Sequence, residues 1–436
     1  MKSVAFCTLG CKVNQYETDA MEELFQKSGY EIRDFHEKAD IYVINTCTVT
    51  NMADRKSRQM LHRARKKNPD GVIVAAGCYV QASAEAVEAD SAIDLIVGNN
   101  CKGQIVSMVE AFMGQHDRAV NLIDINHTSD YETLGITRVS EHTRAYIKIQ
   151  DGCNQFCSYC IIPYARGRVR SRKAADIIEE VSGLAASGYK EIVLTGIHIS
   201  SYGTDFGDIG LIDLVEQLGT IKGIERIRFG SLEPGIITEE FVRRIRAVSQ
   251  ICPHFHLSLQ SGCEETLKRM NRHYTPEDYK RRCELLEKYF DRPAFTTDVI
   301  VGFPGETDEE FEMTEGFLKD IHFSEMHVFK YSPRKGTRAA KMPNPVDESI
   351  KTQRSGRLLA LAERMSEDYR ERCADKVLEV LAEEEVFVDG ETYWTGHSRE
   401  YIKCGIKSDK IRSNQVVRCH MTRTKREDFV ICEIID

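Results

Sequence analysis

The sequence predicts an α/β protein in three parts: an N-terminal doubly wound parallel α/β domain, a partial TIM (β/α)6 barrel, and a small C-terminal all-β barrel of OB-like size. Three observations predict it. At 436 residues the chain is too long for one core. Strand-like and helix-like runs alternate from residue 1 to about 115, and again from about 141. After a long helical segment, the closing sixty or so residues change to short alternating strands.

In order along the chain, SVAFCTL, DIYVINT, VIVAAG and DLIVGN are short apolar or β-rich runs. Between them ETDAMEELFQKSG, NMADRKSRQMLHRARKKN and SAEAVEA carry helical signals, the second opening on a capping Asn51 and stopping ahead of Pro69. Residues 115–140 are polar and weakly patterned, a linker with room for a short hairpin. The second alternation supplies six strands: AYIKIQ, EIVLTGI, RIRFGS, FHLSLQ, FTTDVIVG and MHVFKYS. Right-handed crossovers curl such strands into part of a TIM-like barrel; an open doubly wound sheet is the alternative. ESIKTQRSGRLLALAERMSEDYRERC is a long helix leading out, and YIKCGI, QVVRCHMTR and DFVICEII are strands of the last part.

Composition narrows the class. Hydrophobic residues make up 42% of the chain, an ordinary globular share. No run of eighteen apolar residues exists, so no membrane span is expected. The opening MKSVAFCTLGCKVNQ lacks a secretory pattern, which gives a cytoplasmic expectation. A net charge of −9 argues against a uniformly basic coat for nucleic acid but leaves room for local basic faces. Fifteen cysteines in a reducing compartment point to metal or redox chemistry rather than disulfides.

The cysteines are patterned. DGCNQFCSYC places Cys153, Cys157 and Cys160 on the loop after strand AYIKIQ, at the carboxyl end where barrel chemistry collects. Three thiolates can hold three irons of a [4Fe–4S] cube and leave the fourth open to a substrate group. Structural zinc, which usually takes four ligands, and chance are the alternatives. A second triad, Cys11 in TLGCKVN, Cys47 in INTCTVT and Cys78 in AAGCYVQ, follows the first three expected strands. Parallel strands deliver such loops to one edge of a sheet, so a second open-iron cluster is the reading, against small residues filling turns. Cys7 reads as packing and Cys101 as a spare ligand. The remaining thiols show no ligand spacing.

CNQFCSYC on the first barrel loop resembles the signature of the radical S-adenosylmethionine (SAM) enzymes. The resemblance implies that the open iron binds SAM and that one electron cleaves it to a 5′-deoxyadenosyl radical, with Tyr159 packing near the adenine. The two triads together resemble the methylthiotransferases over nearly the whole chain. That implies an N-terminal cluster domain (1–115), a radical-SAM domain (139–370) and a C-terminal RNA-binding TRAM domain (371–436). It implies two [4Fe–4S] clusters and SAM as cofactors. TLGCKVNQYET is most similar to the branch acting on threonylcarbamoyladenosine beside the tRNA anticodon, the product carrying a methylthio group at adenine C2. The alternatives are isopentenyladenosine in tRNA, a ribosomal-protein side chain, or a non-catalytic Fe–S protein that binds RNA. Segments LTGIHIS, SLEP, HLSLQSG and TTDVIVGFPGET match the family's SAM-site segments and give Gly196, Glu233, Gln260 and Asp298 as expected cofactor contacts.

The expected partners are the anticodon stem-loop of tRNA and a flavodoxin-type electron donor, with the chain a monomer. Residues 397–426 hold nine Lys/Arg against two Asp/Glu, and Arg399, Lys403, Arg412 and Arg423 are expected RNA contacts on the last domain. A second run after the cluster loop adds Arg166 and Arg168, a third lines the helix from Arg55 to Lys67, and YSPRKGTRAAKM is a further basic segment. A solvated face is the ordinary meaning of such runs.

Overall fold

β1 (Ser3–Thr8), β2 (Glu31–Arg33), β3 (Ile41–Thr46), β4 (Val72–Gly77), β5 (Leu95–Val97) and β6 (Ala119–Asn121) form the first sheet of the computed structural model, which describes residues 2–115, 118–137, 143–207 and 209–435. Its order is β2-β1-β3-β4-β5-β6, with every pair parallel. Both faces are covered, as a doubly wound sheet requires. Val4, Ile41, Val43, Val72 and Val74 join the core under α1 (Lys12–Lys27) and α5 (Ile105–Gln115). Ala5, Tyr42, Ile44, Ile73 and Ala75 join the core that holds Leu61 and Ala64 of α2 (Asn51–Lys67). Thr50, one residue before the expected Asn51, caps α2 by accepting from Ala53 N at 3.1 Å. α3 (Cys78–Ala82) and α4 (Ala84–Glu88) follow β4. Two strands were not legible in advance. β2 is a three-residue edge strand with one exposed position, too short to show alternation, and β6 lies in the expected linker.

The second part is a parallel wall of six strands in sequence order: β7 (Arg144–Asp151), β9 (Glu191–Gly196), β10 (Arg226–Phe229), β12 (His254–Leu257), β13 (Ala294–Val301) and β14 (Glu325–Lys330). A parallel bridge between Ile227 and Ile251 joins its two halves. Sequential order without reversal is the arrangement of a partial barrel, not of an open doubly wound sheet. Short β8 (Arg170–Ser171) pairs antiparallel to β7, and β11 (Ser231–Leu232) pairs with β12. Around the wall run α6 (Ile162–Arg166), α7 (Ala174–Ala186), α8 (Leu211–Leu218), α9 (Glu239–Ala247), α10 (Glu264–Arg269), α11 (Pro276–Tyr289) and α12 (Asp308–Ile321). The barrel core takes in Tyr16 and Ala20 of α1, so the first two parts share apolar packing. Residue 139, the expected start of this domain, lies outside the described residues.

α13 (Glu348–Cys373) leads to a closed five-strand barrel of β15 (Val377–Val388), β16 (Glu391–Ser398), β17 (Lys403–Ile406), β18 (Val416–Arg426) and β19 (Phe429–Ile434). It docks on the amino ends of the wall's strands. Glu191, the first residue of β9, is fully buried between Arg228 (2.9 Å) and Arg226 (3.4 Å) of β10. Those guanidiniums donate to backbone oxygens of Glu379 at 2.7 Å, His397 at 3.0 Å, Ser398 at 3.2 Å and Arg399 at 3.0 Å. Among the described residues, no helix is long and apolar enough to cross a membrane.

Candidate active site between the two cysteine loops

In the first sheet β1 lies between β2 and β3, so the winding reverses between β1 and β3. Ligands of such sheets collect outside the carboxyl ends of the strands at that reversal. Cys11 follows β1 there, Cys47 follows β3, and Cys78 opens α3 after β4. Gly10 allows the close approach: its φ is +105°, and a Cβ on it would lie 2.9 Å from Cys47 Sγ. Asn14 ties the loops by donating to Leu9 O at 2.6 Å and Thr46 O at 3.0 Å. Cys47 and Cys78 are buried and Cys11 stands at the water-exposed rim. Burial first, then neighbouring Cys78 and Cys11, push the Cys47 thiol up to about 11. The three expected residues therefore come together. Cys101, the expected spare ligand, packs in the core on the α1–α5 face.

Beneath this triad lies a buried charge network. Arg166 donates from Nε to Cys78 Sγ at 3.1 Å, from a terminal nitrogen to Glu17 at 2.8 Å, and from the other to Asn14 at 2.7 Å. Lys148 contacts Glu17 and Asp151, both at 2.7 Å, and Lys102 contacts Glu17 at 2.9 Å. Arg170 stands 3.9 Å from Asp151. All six side chains are at most 3% exposed. Four cations thus face two carboxylates in direct contact, with Glu132 near Lys102 and Lys148 as a third. An uncompensated buried charge is costly. The residual positive charge beside Cys78 fits an anionic occupant such as a thiolate-held iron–sulfur cluster.

The second triad sits on the loop after β7. Gly152 is required where it stands: with φ +71°, a Cβ there would lie 1.8 Å from Arg168 O. Cys153 N donates to Gly167 O at 3.0 Å, Cys160 N to Cys157 O at 3.0 Å, and Ser158 N to Met270 O at 2.9 Å. Arg272 donates to Cys157 Sγ at 3.3 Å and to Glu233 at 2.7 Å. Burial, with neighbouring Cys157, pushes Cys153 up to about 11 and Cys160 up to about 12. All three cysteines are half-buried residues. Such thiols lose their protons on taking up metal, which suits a cluster site.

The two loops meet over a cavity of about 290 Å³. Val49 and Thr50, just past Cys47, line one side; Tyr159, Cys160 and Ile162 line another; Gln260, Asp298 and Ile300 form the barrel side. Arg334, after β14, pins the first loop to the barrel by donating to Thr48 at 2.8 Å, Asn51 at 2.7 Å and Asp54 at 2.6 Å. Larger cavities of about 420 and 470 Å³ lie at the seam with the C-terminal barrel, and no cysteine lines either, so size does not pick the site.

Of the expected cofactor contacts, Tyr159, Gln260 and Asp298 line the cavity. Gly196 ends β9, where a Cβ would press on Gln150 O at 2.9 Å. Glu233 is held by Arg272 and lies 3.7 Å from His198. The Asp298 carboxylate is shared by His327 (3.1 Å) and His256 (3.5 Å), and those contacts overcome its burial and hold it well below the usual range. Bonds to Asp298 and Glu325 raise His327 to about 10, and ligand atoms of His256, Asp298 and His327 all lie within 4.8 Å of one another.

The expected RNA contacts divide. Arg166 has no exposed surface, so its place is the buried network and not an RNA face. Arg399 is also corrected: it spans the docking seam, donating to Ser249 O at 2.5 Å and Ile251 O at 2.9 Å. Arg334 of the basic YSPRKGTRAAKM segment is buried at the inter-domain clamp. Arg168, Arg412 and Arg423 are exposed. Lys403 is half-buried against Asp428 at 2.6 Å, and Arg423 pairs with Asp375 at 2.9 Å. Arg168 stacks over Phe156 at 4.5 Å, and Phe156 meets Tyr164 edge-on at 6.0 Å. Sequence reasoning missed Arg272, Glu17, Lys102 and Asn99. The only signal for such a network was Lys148 in the middle of apolar strand AYIKIQ, since a charge inside a strand needs a partner.

Residues 147–318 match the radical SAM superfamily, and residues 3–98 match a family described as Uncharacterized protein family UPF0004. The chain is 43% identical to the threonylcarbamoyladenosine tRNA methylthiotransferase MtaB of Bacillus subtilis, covering 96% of this chain and 93% of that one. It is 40% identical to the protein of the same name from Aquifex aeolicus, covering 88% and 93%. It is 36% identical to the tRNA-2-methylthio-N(6)-dimethylallyladenosine synthase of Caldicellulosiruptor saccharolyticus, covering 100% and 90%. Among solved structures, the radical S-adenosylmethionine methyltransferase TsrM from Kitasatospora setae superposes with a TM-score of 0.55 over 76% of this chain and 73% of that one, at 14% identity, a likeness of fold.

Proposed function

We propose, on the premise that the chain belongs to the tRNA methylthiotransferases of the radical SAM superfamily, that it adds a methylthio group to C2 of N6-threonylcarbamoyladenosine beside the tRNA anticodon. The observation that carries this reading is the shared cavity: the loop after Cys47 and the loop through Cys160 wall the same space. A transfer between two centres needs the acceptor held against both.

Cys153, Cys157 and Cys160 would hold the [4Fe–4S] cluster that radical SAM chemistry requires, and Cys11, Cys47 and Cys78 a second one. When bound, these groups and SAM supply the one-electron chemistry that opens an unactivated aromatic C–H bond, which no side chain can do. The chain's own residues bind and orient. Tyr159, Ile162, Ile300 and Phe329 give the cavity an apolar wall for a purine. Arg272 donates to Cys157 and fixes Glu233, setting a carboxylate at the strand end for sugar hydroxyls. Arg334 holds the Cys47 loop at its distance from the barrel.

The target base reaches the cavity only when unstacked from its loop. Arg168, with Phe156 and Tyr164 beside the cysteine loop, offers charge and a stacking face at that entrance. Arg412, Arg423 and the exposed face of α2 are further phosphate contacts. The protein acts as a monomer in the cytoplasm with a flavodoxin-type reductant.

Mass spectrometry of tRNA nucleosides from a deletion strain tests the substrate. Loss of the methylthio form of threonylcarbamoyladenosine, restored by the wild-type chain and not by Cys157→Ala or Cys47→Ala, is expected. Loss of the methylthio form of isopentenyladenosine instead would move the substrate to that of the dimethylallyladenosine synthases, and an unchanged profile would remove the tRNA reading.

A further inference from the structure

We infer that Arg166 is a positioning residue that sets the reduction potential of the N-terminal cluster and locks that cluster's Cys78 corner to the radical-SAM loop. This presupposes a cluster on Cys11, Cys47 and Cys78.

Arg166 stands at the end of α6, six residues past Cys160, so the loop bearing one cysteine triad carries it. Its Nε points at a thiol of the other triad, Cys78 Sγ, at 3.1 Å. The rest of the guanidinium is fixed by five acceptor oxygens on three residues: Glu17 at 2.8 and 3.0 Å, Asp151 at 3.1 and 3.2 Å and Asn14 at 2.7 Å. A planar fork held on its other edges presents its remaining N–H in one direction. Asn99 reinforces the same junction, donating to Ala165 O at 2.7 Å and lying 3.6 Å from Cys78 Sγ.

Charge pairing with the carboxylates does not by itself account for this arginine. Glu17 already contacts Lys102 and Lys148, and Asp151 contacts Lys148. A hydrogen bond to a ligand sulfur and a positive charge beside it both favour the more negative, reduced state of an iron–sulfur cluster. Arg166 therefore raises the potential of the N-terminal cluster relative to the same cluster without it.

The test isolates that cluster. In the full-length chain carrying Cys153→Ala, Cys157→Ala and Cys160→Ala, anaerobic reconstitution is followed by iron analysis and an EPR-monitored redox titration, with Arg166→Gln and Arg166→Lys added in turn. About four irons per chain are expected in each. Arg166→Gln is expected to lower the midpoint by at least the equivalent of a tenfold change in the oxidised-to-reduced ratio, about 59 mV for one electron. Arg166→Lys, which keeps the charge and loses the fork, shifts it less in the same direction. Resonance Raman on the parent provides a reading independent of these variants: an Fe–S(Cys) stretch sensitive to deuterium exchange, contributed by the Cys78 corner. An unchanged midpoint at full iron content, or no exchange-sensitive stretch in the parent, overturns the inference. A parent that takes up no iron overturns the cluster assignment instead, a separate outcome.

Discussion

Glu17 shows how much one residue can hold. Its carboxylate is pulled well below the usual range by Arg166, Lys102 and Lys148, which overcome the opposing effect of burial. Removing one partner from such a buried group leaves the others uncompensated, at about 3–5 kcal/mol. Glu17→Gln is therefore expected to lower unfolding free energy by about that much in a denaturant titration, while Arg412→Ala, on an exposed turn, stays within about 0.5 kcal/mol. Equal effects of the two would contradict the network. At this scale the six cysteines were legible because their spacing and strand-end positions are local facts. Arg166 and Arg399 were misread for a related reason. A run of basic residues looks the same in sequence whether its side chains are solvated or paired, and Glu17 lies 149 positions from its partner Arg166.

Elements were legible where periodicity was long. The six strands of the wall and their helices appear where the alternation places them, while the three-residue strands β2 and β6 carry too few residues for a pattern. Docking between elements was not legible at all, because nothing local in EIVLTGI and RIRFGS shows that Glu191, Arg226 and Arg228 pair with one another and with a barrel more than 150 positions away. Burial opposes ionisation of Glu191, yet Arg228, Arg144 and Arg226 hold it down to about 2 from an ordinary 4.5. A carboxylate depressed by folding stabilises above its unfolded value and loses that contribution as pH falls through the folded one. The window here runs from about pH 4.5 down to about 2, for about 3 kcal/mol. Trp394, the single tryptophan, lies on β16 of the docked barrel and reports its state. Its fluorescence in denaturant is expected to show the midpoint falling across that window, with Glu191→Gln flattening the fall and lowering the plateau at neutral pH. A wild-type midpoint that holds steady through that window would count against the Glu191 linkage.

For the whole molecule, the arrangement is two parallel sheets whose carboxyl edges face one cavity, with a small β-barrel closing the far end of the second. The doubly wound sheet delivers Cys11, Cys47 and Cys78 at its winding reversal, and the partial barrel delivers Cys153, Cys157 and Cys160 on its first loop. Arg166 and Arg334 cross the junction and fix the spacing. The C-terminal barrel grips the amino ends of the strands, at the opposite end of the wall from the cavity. That each sheet would carry its triad was readable from strand order; that the triads would face each other depends on contacts far apart in sequence. Iron analysis of the anaerobically reconstituted chain tests the central claim directly. About eight irons per chain are expected, falling to about four in both Cys47→Ala and Cys157→Ala. About four in the wild type, unchanged by Cys47→Ala, would contradict it.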